Sequence, residues 1–222
     1  RRLLYGRAAE NDVRVLDWTV DGERTRATVQ VRGQSVELDL RMLGEGAVLN
    51  AAGALAVMFG LELDVASAVA GMSEVAPTPG RLVPMLGTQD RFLIDDTYNS
   101  NPASVEVAVR TARAVAEQRG APLVVVLGDM KELGSHSEDE HRKVGDIVSE
   151  SGAFLFVGCG EEMHLGVDVA NARGVDTLWF RTAAECAELD DRLPLNAVVL
   201  VKGSRSMEME RVLSPMRPED GA

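Results

Sequence analysis

The sequence is short of cysteine and of positive charge, and it has no long apolar run. Its 222 residues include two cysteines, Cys159 and Cys186, which lack metal-ligand spacing and which a chain of this length does not need as disulfide staples. We therefore expect two reduced thiols. No uninterrupted apolar stretch is long enough to cross a bilayer, and the opening residues do not have the pattern of a signal peptide. These absences predict a cytoplasmic protein that inserts into no membrane.

Positive charge is the second scarce property. The chain has 23 lysine and arginine residues against 35 aspartate and glutamate residues, which gives a net charge of −12. Such a chain is not expected to bind nucleic acid, because nucleic acid is itself a polyanion. An anionic ligand must then be held by a few placed cations and backbone N–H groups. The hydrophobic content of 45% is ample for a packed core and argues against disorder.

The first third of the sequence predicts a small antiparallel region followed by two helices. Apolar residues alternate at period two through residues 12–40, which indicates hairpins. The run 48–61 is apolar nearly all round and predicts a helix buried on most faces, with Gly60 as its C-cap. A shorter helix is predicted at about 64–71. The Pro- and Gly-rich segment 76–80 then indicates an interdomain linker.

From residue 81 onward, strand and helix patterns alternate. The strands are apolar without alternation, which indicates burial on both faces and predicts an α/β fold with a mostly parallel sheet and flanking helices. Ligand sites of such sheets lie at the carboxyl ends of the strands. The predicted elements are a hairpin at 81–84 and 91–95, strands at 123–127, 154–157, 177–180 and 197–201, and helices near 103–119, 138–150, 161–172, 183–191 and 207–213.

The densest polar segment, residues 94–102, follows one of these strands. It carries two carboxylates, a phenol and two carboxamides in a few positions, and such a set of hydrogen-bonding groups suggests a polyhydroxylated or phosphorylated ligand. The alternative is an ordinary strand-to-helix turn. In that interpretation, Asn101 or Ser100 is the N-cap and Pro102 is the first helical residue.

Two other strand ends carry weaker signals. In the segment 128–134, the carboxylates of Asp129 and Glu132 are candidates for orienting a cation or a ligand amine, although Gly-Asp is also a common turn. We interpret His141, about two helical turns further on, as an exposed helical residue. The segment 158–161 lacks the third glycine of a dinucleotide-binding loop and is interpreted as a tight turn.

The last strand ends in a concentration of positive charge. Lys202 and Arg205 surround Gly203 together with two serines, just before a predicted helix. Backbone N–H groups and a helix dipole would add to these two cations. In a chain of net charge −12, this pattern predicts an anion-binding cradle.

Taken together, these motifs resemble those of the Mur ligases in order and spacing. The residues that carry the resemblance are Gly80–Arg81, Asp95–Pro102, Leu127–Met130 with Glu132–Gly134, His141 with Val144–Gly145, and Lys202–Met207 with Met209–Glu210. The resemblance implies that residues 1–76 form the last part of a central ATPase domain. It implies a linker at 77–80 and a Rossmann-like C-terminal domain at 81–222.

The same resemblance places the family's phosphate-binding loop, magnesium ligands and carbamylated lysine upstream of this chain. The sequence contains no Gly-x-x-x-x-Gly-Lys-Ser/Thr pattern. The pattern of the opening residues 1–6 also predicts a strand that begins before residue 1. We therefore expect the natural protein to extend further toward its N-terminus, and we expect the 222 residues alone to be inactive.

Residue roles follow from matching the family motifs. The nucleotide-binding set implied by the resemblance is Asn50 at the base, Arg81 at the ATP phosphates, Asp96 at the ribose hydroxyls, and Tyr98 and Asn99 completing the cleft. The set that faces the peptide substrates is Asn101, Lys202, Ser204 and Arg205, and Arg81 and Lys202 are the catalytic residues. Asp96 is expected to point into the cleft and to contribute little to packing. Gly46 and Ala47 replace a family His-Asn pair near Asn50.

The implied cofactors are ATP and Mg²⁺, with no metal ligand in this chain. The implied reaction is that of the family branch that joins D-alanyl-D-alanine to UDP-N-acetylmuramoyl-tripeptide through an acyl phosphate, a step of peptidoglycan synthesis. Two alternatives remain open. One is another ligase of the superfamily, such as a folylpolyglutamate or cyanophycin synthetase. The other is a noncatalytic α/β module that binds a nucleotide or a peptide.

Overall fold

The computed structural model describes residues 2–218, apart from the side chains of residues 190 and 191. The chain divides into two compact units, Arg1–Pro77 and Thr78–Ala222. Each unit has its own sheet: four strands in the first and six in the second.

The first unit is built on an antiparallel meander, which confirms the hairpins predicted for residues 12–40. The strand order is β1-β2-β3-β4, and only the short strand β1 pairs in parallel, with β2. The strands are β1 (Tyr5–Gly6), β2 (Val13–Asp21), β3 (Arg24–Val31) and β4 (Gln34–Leu40), and the helices are α1 (Gly44–Gly60) and α2 (Val65–Glu74).

Helix α1 differs from the prediction at both ends and in its burial. It begins at Gly44, whose N–H donates to the buried hydroxyl of Thr25 at 2.8 Å. Its C-cap is Leu61, so Gly60 is the last helical residue and not the cap. The helix buries one face, while Val57 is 61% exposed. An all-round apolar pattern therefore did not mean all-round burial here.

The second unit contains the predicted mostly parallel sheet. Its strand order is β5-β6-β10-β7-β8-β9, and only β5 is antiparallel to its neighbour. Helix α3 lies against β7 and β10, and α6 and α7 contribute to the hydrophobic core with strand residues. The strands are β5 (Val83–Leu86), β6 (Phe92–Asp96), β7 (Leu123–Gly128), β8 (Leu155–Cys159), β9 (Asp176–Phe180) and β10 (Val198–Lys202). The helices are α3 (Pro102–Arg119), α4 (Ser137–Glu150), α5 (His164–Ala172), α6 (Ala183–Cys186) and α7 (Glu210–Leu213).

Three predicted helices are shorter than expected. Helix α5 begins at His164, α6 gives way to a 3₁₀ turn over Ala187–Arg192, and α7 is preceded by a separate 3₁₀ turn over Arg205–Met207. The last break has a local cause, because Glu208 adopts a left-handed φ of 50° that an α-helix cannot contain. Within residues 2–218, none of the helices is long and apolar enough to span a bilayer.

The position of β10 brings the polar segments together. The chain runs outward from β6 through β7, β8 and β9, and then returns to insert β10 between β6 and β7. In the register of this sheet, Lys202 lies opposite both Asp96 and Leu127. The segments that follow β6, β7 and β10 therefore leave the sheet side by side, at the carboxyl edge where ligand sites form.

Candidate functional site

The segment after β6 is a helix cap as well as part of the site. The side-chain oxygen of Asn101 accepts from the N–H of Ser104 at 2.9 Å, and the Ser104 hydroxyl accepts from the N–H of Asn101 at 3.0 Å. Pro102 is the first helical residue. This reciprocal capping box confirms the turn interpretation, with Asn101 and not Ser100 as the N-cap.

Asp95 also builds the turn. Its Oδ1 accepts from the N–H and the hydroxyl of Thr97 at 3.2 and 2.7 Å. Its Oδ2 accepts from the guanidinium of Arg217 at 3.3 Å. The first carboxylate of the segment is thus occupied by protein partners, and it ties the end of β6 to the last described residues of the chain.

Asp96 and Lys202 form a buried ion pair. The ammonium of Lys202 donates to Oδ2 of Asp96 at 2.7 Å and to the carbonyl of Asn99 at 2.8 Å, while Oδ1 of Asp96 accepts from the N–H of Leu82 at 3.2 Å. The two side chains are 2% (Lys202) and 12% (Asp96) exposed. Burial raises the pKa of Asp96 above its ordinary value, despite the nearby ammonium.

This pair corrects two expectations. Asp96 does not point freely into a cleft, because both of its oxygens already accept hydrogen bonds. Lys202 is not a free cation of the predicted cradle, because its ammonium lies between Asp96 and the backbone of Asn99. The pair instead links the ends of β6 and β10 to the residue before β5, so it supports the shape of this sheet edge.

Arg81 and Tyr98 form a second contact at this edge. The guanidinium carbon of Arg81 lies 4.3 Å from the centre of the Tyr98 ring, a cation–π geometry, and the tyrosine is 49% exposed. The N–H of Tyr98 donates to the carbonyl of Gly80 at 3.0 Å. Gly80 has a φ of +70°, and a Cβ there would lie 3.0 Å from the Tyr98 nitrogen. Glycine is therefore required where the linker meets the loop.

The anion-binding cradle predicted after β10 is only partly present. A single 3₁₀ turn follows, so a full helix dipole is missing, and Lys202 is buried. Arg205 is the more accessible cation, at 60% exposure of its side chain, and Glu210 accepts from both of its terminal nitrogens at 3.0 and 2.7 Å. The hydroxyl of Ser204 accepts from the N–H of Lys131 at 2.8 Å.

A pocket opens where the three segments meet. It has a volume of about 540 Å³ and is lined by residues 99–101, 131–133 and 204–206. Its wall contains carboxamides and hydroxyls together with charges of both signs, from Lys131, Glu132 and Arg205. This lining suits a small polar ligand that carries both an anionic and a cationic group.

Asp129 is a buried carboxylate that contacts protein groups, and His141 is not the exposed helical residue that the sequence predicted. Asp129 is 1% exposed; its Oδ1 accepts from the N–H groups of Glu162 and Met163 at 3.1 and 2.8 Å, and its Oδ2 from the ammonium of Lys131 at 2.8 Å. It is thus committed to protein partners and not presented to a ligand. His141 is completely buried, so its interpretation as an exposed residue is wrong.

The signal for His141 was in the helical periodicity. Val144 and Val148, three and seven residues further on, share the buried face of α4 with His141. The turn predicted at residues 158–161 begins only at Gly160, which has a φ of +112°, because Gly158 and Cys159 are the last residues of β8. Asn50 lies in the first unit, exposed on α1, and its role in nucleotide binding stays a prediction.

A family model and several known proteins match this chain. Residues 80–205 match the model of the Mur ligase, glutamate ligase domain. The UDP-N-acetylmuramoyl-tripeptide–D-alanyl-D-alanine ligase of Escherichia coli (strain K12) is 33% identical over 214 residues, which are 95% of this chain and 45% of that protein. The Haemophilus influenzae ligase of the same name is 31% identical over 189 residues, or 82% of this chain and 39% of that protein.

Solved structures also match this chain. A MurF crystal structure from Acinetobacter baumannii superposes with a TM-score of 0.78 at 26% identity, covering 95% of this chain and 46% of that one. MurF from Thermotoga maritima in complex with ADP gives 0.79 at 23% identity, covering 95% and 47%, and supports the fold. The chain thus spans about half the length of the relatives that it matches. By its matching domain model, its sequence relatives and its fold, this chain belongs to the Mur ligase family.

Proposed function

We propose that these residues are the C-terminal part of an ATP-dependent ligase of peptidoglycan precursor synthesis, which acts in the cytoplasm. The ligase would add D-alanyl-D-alanine to UDP-N-acetylmuramoyl-tripeptide. Residues 1–76 would be the end of its central ATPase domain, 77–80 a linker, and 81–222 the C-terminal domain. The names of the E. coli and H. influenzae relatives support this substrate pair.

The observation that carries the proposal is the pocket at the carboxyl edge of the sheet. D-alanyl-D-alanine has a carboxylate and an amine at opposite ends, and the lining offers the guanidinium of Arg205 and the carboxylate of Glu132. Asn101 and Ser204 would add neutral hydrogen-bonding groups. A guanidinium is well suited to hold a carboxylate in a fixed plane, and Glu210 holds that of Arg205 through two hydrogen bonds.

The nucleotide would lie on the linker side of the same edge. Arg81, Tyr98 and Asn99 are assigned to ATP, and the assignment of Asn50 to the nucleotide base rests on the family motif alone. Asp96 fits a direct ribose contact less well than the family motif implies, because Leu82 and Lys202 already engage its carboxylate. We therefore assign Asp96 and Lys202 jointly to shaping the nucleotide and peptide sites.

In the proposed reaction, the γ-phosphoryl group of ATP passes to the terminal carboxylate of the tripeptide and leaves ADP and an acyl phosphate. The free amine of the dipeptide attacks the acyl carbon, the bond to phosphate breaks, and the amine proton goes to solvent. Catalysis of this kind is mainly positioning and charge stabilisation. Among the side chains that the structure describes, no three carboxylate, imidazole or thiol groups converge to hold a metal ion. The proposal places the Mg²⁺ ligands upstream of this chain, as the family resemblance implies.

NMR titration of the ¹⁵N-labelled 222-residue chain tests the pocket. D-alanyl-D-alanine should shift the amide signals of residues 99–101, 131–133 and 204–206, and L-alanyl-L-alanine serves as the matched control ligand. Arg205→Gln should weaken the binding of the D,D-dipeptide, because it removes the cation that would hold the carboxylate. The assignment fails if the dipeptide shifts no signals in these three segments, or if both dipeptides bind equally well.

A further inference from the structure

His141 is buried on α4 and is bonded at both ring nitrogens. The backbone N–H of Met130 donates to Nε2 at 3.0 Å, so Nε2 carries no proton. Nδ1 lies 2.7 Å from the carbonyl of Ser137 and carries the proton that this bond needs. These two contacts fix a single neutral tautomer of a fully buried ring.

The N–H that His141 accepts from belongs to Met130, the residue just before the pocket-lining residues 131–133. Met130 is the second residue after β7, and the next N–H, that of Lys131, donates to the hydroxyl of Ser204 at 2.8 Å. The N–H of Ser204 in turn donates to the carbonyl of Asp129 at 3.2 Å. The segment 129–133 is thus held from one side by α4 and from the other by the segment after β10, and residues 131–133 line the pocket.

The start of α4 is also linked to the ammonium group of Lys131. Its ammonium lies 2.8 Å from Asp129 and 3.6 Å from Glu162. The hydroxyl of Ser137 donates to Glu162, and the carbonyl of Ser137 accepts the hydrogen bond from Nδ1 of His141. Ser137, at the start of α4, therefore connects the imidazole to Glu162, one of the two carboxylates near the Lys131 ammonium.

Packing alone does not explain an imidazole at this position. An apolar residue would fill the same buried face of α4, beside Val144 and Val148. It would, however, leave the N–H of Met130 buried without an acceptor, because Met130 is itself completely buried, and such orphaned groups are rare in proteins. The ring therefore satisfies a backbone group at the point where the pocket wall turns.

We propose that His141 is a positioning residue, which acts through the N–H of Met130 to hold the segment 129–133 in its ligand-binding conformation. It touches no ligand itself. The inference rests on the proposed function for the identity of the ligand, D-alanyl-D-alanine. The effect of His141 on the order of the segment 129–133 does not depend on which ligand binds.

Amide hydrogen exchange and dipeptide titration of the 222-residue chain test this role with three variants. His141→Leu removes the acceptor and should speed the exchange of the Met130 and Lys131 amides about tenfold beyond any change in global unfolding. It should also weaken dipeptide binding. His141→Gln, which keeps an acceptor at similar reach, should restore both the slow amide exchange and the dipeptide binding of the wild type. Thr111→Val removes a buried hydrogen bond to the Val107 carbonyl on α3 and should change neither beyond its effect on stability.

The outcomes separate this inference from the proposed function. If exchange of the two amides follows global unfolding in every variant, the positioning role is overturned. If the wild-type chain binds no dipeptide, the proposed function fails, and the amide exchange still decides the role of His141. If His141→Leu does not fold, His141→Asn takes its place, because its shorter amide does not reach Met130. Equal amide protection in the Asn and Gln variants would then overturn the inference.

Discussion

At the scale of single residues, the buried pair of Asp96 and Lys202 has the largest consequence. Its two charges are almost removed from water, and the ammonium contacts both a carboxylate and a backbone carbonyl. Removing one partner of such a pair leaves the other charge buried and uncompensated. A carboxylate that seemed a simple ligand group in the sequence is therefore also structural.

We predict that Asp96→Asn destabilises the chain by about 3 kcal/mol, as measured by urea denaturation at neutral pH. Glu117→Gln is the control, since it breaks the exposed i,i+4 pair of Arg113 and Glu117, which should contribute only about 0.5 kcal/mol. Equal stability losses in the two variants would show that the buried pair does not hold this edge.

Ser100 presents the opposite case. It is 5% exposed, and its hydroxyl has no hydrogen-bond partner within the described residues. Burying an unbonded hydroxyl costs free energy. We expect Ser100→Ala to leave the unfolding free energy unchanged or to raise it by up to about 1 kcal/mol.

The matched control for this prediction is Ser151→Ala, which deletes a buried hydroxyl that donates to the carbonyl of Val148 at 2.6 Å. That variant should lose about 1 kcal/mol. A clear stability loss in Ser100→Ala, measured in the same denaturation series, would mean that the hydroxyl has a partner after all.

At the scale of elements, the start of α4 and the turn before α5 are joined through Glu162. The hydroxyl of Ser137 is the main cause that holds the pKa of Glu162 below its ordinary value of 4.5, and the charge of Lys131 adds to it. The native state therefore binds this proton less tightly than the unfolded chain does. The resulting stabilisation is present above pH 4.5 and is lost as the pH falls through the native pKa.

We predict that the difference in unfolding free energy between the wild type and Glu162→Gln is largest at neutral pH and shrinks below pH 4.5. Ser137→Ala should flatten this dependence, because it removes the hydroxyl that stabilises the carboxylate. The measurement is a series of urea denaturations from neutral to acidic pH. A difference that grows on acidification would contradict the sign of the shift.

Elements were also the scale at which the sequence was most informative. The alternation of strand and helix after residue 81 predicted the parallel sheet, because local apolar patterns report burial directly. Asn101 followed by Pro102 carried a cap signal that the structure confirms. Helix ends were less predictable. The left-handed φ of Glu208 is uncommon for a residue other than glycine, and the turn before α5 is bonded to Asp129, which lies 33 and 34 positions away in the sequence.

At the scale of the whole second unit, the site depends on pairings that are distant in the chain. Lys202 bonds to Asp96 across 106 positions of sequence, and no local pattern reports whether a lysine at a strand end is free or paired. The insertion of β10 between β6 and β7 is likewise a property of the sheet. The motifs therefore indicated which strand ends form the site, but not which of their charges remain available to a ligand.

Ligation by the complete enzyme tests the central claim most directly. The longer protein that we propose carries these residues should be supplied with ATP, Mg²⁺, UDP-N-acetylmuramoyl-tripeptide and D-alanyl-D-alanine, and the product should be followed by mass spectrometry. We predict that each product molecule contains one added dipeptide and that one ADP is released for each product. We also predict that the 222-residue chain alone neither hydrolyses ATP nor ligates the dipeptide, because it has no phosphate-binding lysine motif. Ligation of another acceptor, such as a folate with glutamate, or substrate binding without ATP turnover by the complete protein, would contradict the account.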